Sequence, residues 1–173
     1  MSGAGDNGCV SDWIAFLEMN RKPVFHASKR EGFEIFPAAR DWLINREWYR
    51  RVGADWGWQD RLKRSEADWR EYVESDDLET WIASFEGAEC GYFELLREGN
   101  QVRIALLGLR PEFIGKGLGG ALLLAALEKA WTGETGKVFL DTCGKDHPNA
   151  LPNYLRHGFR IIRTEFADGF EIG

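Results

Sequence analysis

The stretch LGLRPEFIGKGLGGALLLAALEKAW, residues 107–131, determines how this chain folds. Its first residues predict the end of a β-strand, and the run of helix-forming residues from Ala121 onward predicts a helix. Between these two elements lie four glycines within six residues, at positions 115, 117, 119 and 120. Because each glycine costs backbone entropy at a helix start, this density predicts a partner that must approach the main chain closely.

An anion is the partner that such a loop suits best, because free N–H groups and the positive end of the helix dipole meet at a helix N-terminus. The alternative is that the glycines only allow the helix to pack tightly against the strand. Spacing alone also allows a dinucleotide, since Gly115, Gly117 and Gly120 match G-x-G-x-x-G and Asp141 follows at about the right interval. Pro111 separates the loop from its strand, and too little chain follows for a doubly wound sheet, which disfavours the dinucleotide.

The composition predicts one globular domain over residues 1–173, with a polar, disordered tail at residues 1–8. Apolar residues make up 44% of the chain and aromatic residues 13%, which is enough for a packed core and an apolar-walled pocket. The formal net charge of -6 argues against a nucleic-acid partner. Cys9, Cys90 and Cys143 are odd in number and far apart, so neither a zinc site nor a disulfide frame is predicted. With no signal core and no membrane-spanning run, we expect a cytoplasmic protein without a membrane partner.

Hydrophobic periodicity predicts a mixed α/β fold in which two helices precede the sheet. The Glu86-Gly87 and Glu98-Gly99-Asn100 turns fold three strands into an antiparallel meander, and Asp168-Gly169 predicts a C-terminal hairpin. The predicted helices are 39–55, 65–74, one that follows a loop within 115–131, and 148–156. The predicted strands are 78–85, 91–96, 102–109, 137–141, 159–166 and 170–172.

Two motifs resemble those of the GNAT superfamily of acetyl-CoA-dependent N-acyltransferases. The loop Ile114-Gly115-Lys116-Gly117-Leu118-Gly119 is similar to the family pattern Gln/Arg-x-x-Gly-x-Gly/Ala, although Ile114 departs from the polar first position. The segment ALPNYLRHGF, residues 150–159, resembles the family's late helix, with an alanine four residues before a tyrosine and Gly-Phe after it. His147 stands where many members have Asn. The resemblance covers about Gly91 to Phe166.

The resemblance implies the α/β GNAT fold, with a mostly antiparallel sheet that is splayed between two parallel strands, here Val102 to Leu109 and Lys137 to Asp141, and flanked by helices. Acetyl-CoA would lie in this gap as co-substrate, with its thioester against the main chain of Leu107 to Leu109, and no metal would be needed. The residues expected to bind it are Leu107, Gly108, Leu109, Ile114, Gly115, Lys116, Gly117, Leu118, Gly119, Gly120, His147 and Asn153.

The resemblance also implies direct acetyl transfer to the amine of a small molecule, with Tyr154 as the acid that protonates the leaving thiolate. An interior tyrosine with a bonded hydroxyl is the alternative. Glu94 is the candidate general base, because an acid inside an apolar strand is uncommon, although an exposed edge position would leave it merely solvated. Asp141 is a rival base, with a capping role as its own alternative. Cys143 and His147, four residues apart, leave an acyl-cysteine route open.

The acceptor pocket is expected among the aromatic residues of the N-terminal helices. An acidic, aromatic-lined pocket would favour a cationic amine. The candidates are Trp48, Tyr49, Trp56 and Trp58, near Asp55 and Asp60.

Two other functions stay open. A non-catalytic acyl-CoA sensor or interaction module on the same fold is favoured by the departures at Ile114 and His147, and a dinucleotide-binding oxidoreductase is favoured by the glycine spacing alone. A homodimer is open as well, because the terminal strands could pair across a sheet edge.

Overall fold

The computed structural model describes residues 12–24, 30–167, 169 and 171–172. The predicted tail at residues 1–8 and the predicted turn residue Asp168 lie outside them. The strands are β1 Trp13–Met19, β2 Phe33–Pro37, β3 Leu78–Phe85, β4 Ala88–Glu98, β5 Gln101–Leu109, β6 Lys137–Cys143, β7 Arg160–Phe166 and β8 Glu171–Ile172. The α-helices are α1 Trp42–Gly53, α2 Glu66–Glu74, α3 Leu118–Ala130 and α4 Ala150–Arg156, and short 3₁₀ turns cover Ala54–Trp56, Arg61–Lys63 and Pro111–Phe113.

Within the described residues, the eight strands form one sheet in the order β2-β3-β4-β5-β6-β1-β7-β8. Neighbouring strands are antiparallel except β5 and β6, which are parallel. This arrangement confirms the mixed α/β fold and the meander of β3, β4 and β5.

The prediction that two helices precede the sheet is wrong, because β1 and β2 come before α1. Strand β1 lies between β6 and β7, so that Leu17 pairs with Leu140 on one side and Ile161 on the other. Its sequence WIAFLEM is apolar almost throughout, without the clean two-residue alternation of a half-buried strand. Its partners come more than a hundred residues later, so nothing in the local sequence indicates the pairing.

Side-chain caps mark the starts of α1 and α2. Asp41 caps α1 by accepting the Leu43 N–H at 2.9 Å. Ser65 and Asp68 form a reciprocal capping box at the start of α2, which confirms the predicted helix start there. Helix α4 begins at Ala150, two residues later than predicted.

Helices cover both faces of the sheet's centre. On one face, Leu122, Leu123 and Leu127 of α3 pack with Phe93 and Leu95 of β4 in a buried cluster. A second buried cluster on the opposite face contains Trp48, Tyr49 and Val52 of α1, Trp69 of α2, Tyr92 of β4 and Leu106 of β5. Burial of each large apolar side chain stabilises the fold by about 1.5–3 kcal/mol. No helix in the described part of the chain is long and apolar enough to cross a membrane.

The parallel strands β5 and β6 separate after a short paired stretch. They pair only from Gln101 with Lys137 to Arg103 with Phe139, although β5 continues to Leu109 and β6 to Cys143. Ala105 is an extra residue in β5, because Leu106 pairs with Glu94 while Ile104 pairs with Leu95. Such a bulge bends the strand. The predicted splay between two parallel strands is therefore confirmed.

Candidate active site

The splay opens into a cavity of about 550 Å³. A cleft of this size suits a small-molecule ligand, for which volumes of about 300–1,000 Å³ are usual. The ends of β5 and β6, the glycine loop, α4 and the segment that follows α1 form its walls. All the predicted site residues line this cavity except Lys116 and Glu94. The amine of Lys116 instead lies 4.9 Å from the centre of the Phe113 ring.

The glycine loop presents its main chain to the cavity at the start of α3. Gly115 and Gly117 have φ angles of 82° and 72°, a region that favours glycine, and Gly117 is the N-cap residue. Among the described residues, no side chain caps this helix, so the first N–H groups of α3 keep their donor capacity. The helix dipole adds partial positive charge at the same place. This terminus is therefore built to receive an anion.

Tight packing within the chain does not explain these glycines. A Cβ added at each would keep ordinary contact distances or meet open space among the described residues: nothing within 4 Å at Gly115, 3.5 Å to Arg30 at Gly117, 3.9 Å to Asn153 at Gly119 and 3.6 Å to His157 at Gly120. Gly108 is different, because a Cβ there would lie 2.3 Å from Cγ1 of Val52 on α1. The packing alternative thus holds for Gly108 on β5 and fails for the loop.

Strand β5 turns an unpaired edge toward the cavity. Arg110 donates its N–H to the carbonyl of Cys90 at 2.8 Å, and Gly108 pairs with Tyr92. Since consecutive residues of a strand direct their N–H groups to opposite edges, Leu107 and Leu109 direct theirs away from β4. These two amides are therefore available as donors to a carbonyl oxygen bound in the cavity.

Tyr154 lies in the cavity wall with no hydrogen-bonding partner for its hydroxyl among the described residues. The ring packs edge-on against Phe159, with 6.0 Å between ring centroids. Burial, reinforced by the negative charges of Asp146 and Asp141, raises the pKa of Tyr154 above its ordinary value. The phenol is therefore protonated at neutral pH and has a proton to donate. Because its hydroxyl has no hydrogen-bonding partner among the described residues, the alternative of a bonded interior hydroxyl does not hold.

Two carboxylates line the cavity near Tyr154, and the sequence pointed to only one of them. Asp141 forms an ion pair with Arg103 at 2.8 Å. Asp146, which the sequence did not single out, accepts the Thr142 hydroxyl at 2.7 Å, the Cys143 N–H at 3.1 Å and the Trp58 indole N–H at 3.3 Å. An Asp that follows Gly-Lys in a loop is a common turn-forming residue, which is the only local signal it gave. Within the described ranges, His, Cys, Asp and Glu side chains form no group that could hold a metal ion.

Glu94 lies outside the cavity, on the face of the sheet covered by α1 and α2. Its side chain is fully buried and accepts hydrogen bonds from Asn45 at 2.7 Å, the Tyr72 hydroxyl at 2.7 Å and the buried Arg61 at 3.3 Å. The buried ion pair with Arg61 explains why an acidic residue lies within this apolar strand. Neither the solvated edge position nor contact with the cavity is observed, and a role as base stays a prediction.

His147 lines the cavity in a defined tautomer. Its Nδ1 accepts the Asn149 N–H at 3.0 Å, which leaves the proton of a neutral ring on Nε2. The ring meets Trp56 edge-on at 5.2 Å between centroids. Cys143 is disulfide-bonded, with its partner outside the described residues. The acyl-cysteine route is therefore wrong because Cys143 offers no thiol, and the prediction of no disulfide is wrong as well.

Of the aromatic residues predicted to line the acceptor pocket, two lie in the cavity and two lie in the core. Trp56 and Trp58 line the cavity, whereas Trp48 and Tyr49 are buried in the cluster under α1. Asp55 and Asp60 do not line it. The sequence missed the basic residues around the cavity, which suit an anionic ligand in a chain of net charge -6: Lys145, Arg156 and His157.

Comparison with known proteins agrees with this geometry. Residues 39–159 match the model of the Acetyltransferase (GNAT) family, which covers most of the chain. The chain belongs to the GNAT acetyltransferase family. Family membership supports acyl transfer, with acetyl-CoA as the donor that the family uses. No curated protein sequence matches.

Solved GNAT structures share the fold at low sequence identity. An IAA acetyltransferase from Bacillus cereus ATCC 14579 is 24% identical, with a TM-score of 0.58 over 75% of this chain and 78% of that one. A GNAT family acetyltransferase from Elizabethkingia anophelis with acetyl-CoA bound is 20% identical, with a TM-score of 0.58 over 76% of this chain and 78% of that one. The ribosomal-protein-S18-alanine N-acetyltransferase from Escherichia coli is 14% identical, with a TM-score of 0.57 over 80% and 88%. These likenesses show the fold.

Proposed function

We propose that this GNAT protein transfers an acetyl group from acetyl-CoA to the amine of a small molecule by direct attack in a ternary complex. The observation that carries the proposal is the common cavity, which the uncapped N-terminus of α3, the unpaired edge of β5 and the Tyr154 phenol all line. An anion site, a pair of amide donors and a protonated acid are the groups that acyl transfer from a thioester requires.

The glycine loop would bind the pyrophosphate of acetyl-CoA through main-chain amides from Gly115 to Gly120. Ile114 offers no polar side chain, so the backbone carries this contact. Asn153 donates its side-chain amide to the carbonyl of Gly119 at 3.2 Å, which supports the loop from α4. His147, with its proton on Nε2, would take the place of the family's Asn as a donor to the pantetheine arm.

Three groups of the chain serve the transfer itself. The amides of Leu107 and Leu109 would face the thioester oxygen and stabilise the negative charge that develops on it. As the neutral amine attacks, the N–C bond forms and the C–S bond breaks, and Tyr154 donates its proton to the departing sulfur. The amine nitrogen loses a proton to solvent, which balances the reaction and returns the proton that Tyr154 gave. The raised pKa of Tyr154 keeps the acid protonated between turnovers.

Thiol release from acetyl-CoA in the presence of a panel of small amines tests the proposal. We expect amine-dependent release, and Tyr154→Phe should lower kcat by about 10²-fold or more, the usual contribution of a positioned acid. Calorimetry should find acetyl-CoA affinity unchanged in this variant, because the phosphate contacts lie on another element.

Tyr92→Phe is the matched control. Its hydroxyl is buried on the opposite face of the sheet without a hydrogen-bonding partner among the described residues, so its removal should leave turnover unchanged. Acetyl-CoA binding without turnover across the panel would contradict catalysis and support the non-catalytic sensor.

A further inference from the structure

Asp146 is the carboxylate of the cavity that forms no ion pair among the described residues, whereas Asp141 pairs with Arg103. Its three donors are the neutral groups of Thr142, Cys143 and Trp58. A partly buried negative charge without a cation is costly, and a cationic ligand would offset that cost. The charge therefore points to something positive that enters the cavity.

One carboxylate oxygen of Asp146 can accept a further hydrogen bond. Oδ2 accepts both the Thr142 hydroxyl at 2.7 Å and the Cys143 N–H at 3.1 Å. Oδ1 accepts only the long 3.3 Å hydrogen bond from Trp58 among the described residues. Since a carboxylate oxygen accepts two hydrogen bonds, Oδ1 can receive an N–H donor from a ligand.

Asp146 also lies close enough to the reacting centre to act on the acceptor. Asp146 and Tyr154 line the same cavity, and after burial the negative charge of Asp146 contributes to raising the pKa of Tyr154. If Tyr154 protonates the departing sulfur, the attacking nitrogen arrives within a few bond lengths of that phenol. The nitrogen of an acceptor bound at Asp146 would thus reach the thioester once its ammonium group has lost a proton to solvent and become a neutral amine.

Apolar side chains form part of the cavity in which Asp146 lies. Trp58 donates to Asp146 from one side, and Trp56, Val52 and Ile14 line the same cavity. The Trp58 ring is fixed by packing on Tyr49, with 5.5 Å between ring centroids. Lys145 also lines the cavity but forms no ion pair with Asp146 among the described residues, and its Cδ lies 3.9 Å from where a Cβ on Gly57 would be. These apolar side chains, together with a carboxylate that has no ion-pair partner among the described residues, fit a hydrocarbon body with a single positive group.

From these observations we infer that Asp146 binds the ammonium group of the acceptor, and that the acceptor is a small cationic amine with an apolar body and no carboxylate. The inference rests on the proposed acetyl transfer and deepens it by naming the substrate class. A carboxylate beside the amine, as in a free amino acid, would lie close to the charge of Asp146, and like charges at short range disfavour a partner.

Matched pairs of acceptors test the substrate class in the wild-type protein. Pentylamine and norleucine differ only by the carboxylate, as do phenethylamine and phenylalanine. We expect kcat/KM to favour the simple amine of each pair by about tenfold or more. Equal or greater activity on the amino acids would overturn the inference while leaving acetyl transfer intact, whereas transfer to no acceptor would contradict the proposed function and the inference with it.

Asp146→Asn tests the residue. Asn keeps an oxygen that can accept from Thr142 and Cys143 but removes the charge, so we expect the KM for pentylamine to rise about tenfold or more. The preference for pentylamine over norleucine should shrink in the same variant, and acetyl-CoA affinity by calorimetry should not change. General damage to the fold would not move the preference, so an unchanged ratio would overturn the role of Asp146.

Asp55→Asn is the matched control, because Asp55 is exposed, directly precedes the cavity residue Trp56 and does not itself line the cavity. It removes the same charge and should alter neither KM nor the preference. An equal effect in both variants would assign the change to net charge and overturn the inference. If Asp146→Asn fails to fold, the ratios in the wild-type protein decide the substrate class.

Discussion

Glu94 and Arg61 form an ion pair with side-chain exposures of 0% and 1%. Arg61 belongs to the segment between α1 and α2 that also supplies Trp56 and Trp58 to the cavity wall. It lies 4.9 Å from the centre of the Tyr72 ring, and Tyr72 in turn donates to Glu94 at 2.7 Å. The ion pair thus links strand β4 to the segment between α1 and α2, which supplies Trp56 and Trp58 to the cavity wall.

Replacing Glu94 should therefore lower the stability of the folded protein. Glu94→Gln removes the carboxylate that pairs with the buried Arg61 at 3.3 Å, so we expect the free energy of unfolding to fall by about 3–5 kcal/mol. Urea denaturation followed by tryptophan fluorescence would measure this. The control is Glu79→Gln, which breaks the part-exposed pair of Glu79 with Arg97 in the neighbouring strand and should cost less than about 1 kcal/mol.

The same variant tests the prediction that Glu94 is the general base. Under conditions where Glu94→Gln is folded, we expect most of kcat to remain, since the carboxylate is surrounded by three donors outside the cavity. Loss of kcat by about 10²-fold with unchanged stability would instead support the base.

Among single residues, the sequence predicted those whose role follows from a short sequence motif. Tyr154 and the glycines were found because fixed spacing along one helix or loop carries their function. Asp146 was missed, because its significance depends on Trp58, which comes from a distant segment, and on the splay between two strands.

Among the elements, the N-terminus of α3 carries the anion site. Gly117→Asp and Gly117→Asn introduce side chains of nearly equal size, and both residues tolerate the left-handed backbone that Gly117 adopts, with φ of 72°. They differ in charge, so Asp should abolish acetyl-CoA binding in calorimetry while Asn should weaken it much less.

Ile114→Ala is the companion variant and should change acetyl-CoA affinity little, since backbone groups make the contact in our proposal. Equal acetyl-CoA affinities for the Gly117→Asp and Gly117→Asn variants would mean that no anion is bound at this helix terminus.

Element prediction succeeded where apolar periodicity and turn residues are local. The strands β3, β4 and β5 were found from their alternation and from the turns at Glu86-Gly87 and Glu98-Gly99-Asn100. Strands β1 and β2 were missed for different reasons. β1 is apolar almost throughout and pairs with the end of the chain, and β2 is a short edge strand that ends at Pro37.

On the scale of the whole molecule, the tyrosines should couple stability to alkaline pH. The chain has four, and burial raises the pKa of each above its ordinary value of 10.0: Tyr49, Tyr72, Tyr92 and Tyr154. In the unfolded chain these phenols would lose protons from about pH 10 upward, while in the folded protein they would not. Since the unfolded state then binds fewer protons, the free energy of unfolding should fall as the pH rises above about 10.

Absorbance at 295 nm together with near-UV circular dichroism would measure this. Tyrosinate should appear together with loss of the folded signal, and Tyr154→Phe should remove about one quarter of the amplitude. Ionisation near pH 10 in a molecule that keeps its near-UV signal would contradict the burial of these hydroxyls.

Binding of acetyl-CoA in the splay between β5 and β6 is the claim on which the proposed chemistry depends, and residue-resolved amide hydrogen exchange would test it. The amides of Leu107 and Leu109 face the open edge of β5, and those of Leu118, Gly119 and Gly120 lie uncapped at the start of α3. We predict that exchange at all five slows when acetyl-CoA is added and does not change when NAD is added. Saturating acetyl-CoA binding that leaves Leu107 and Leu109 exchanging as in the free protein would contradict this binding site.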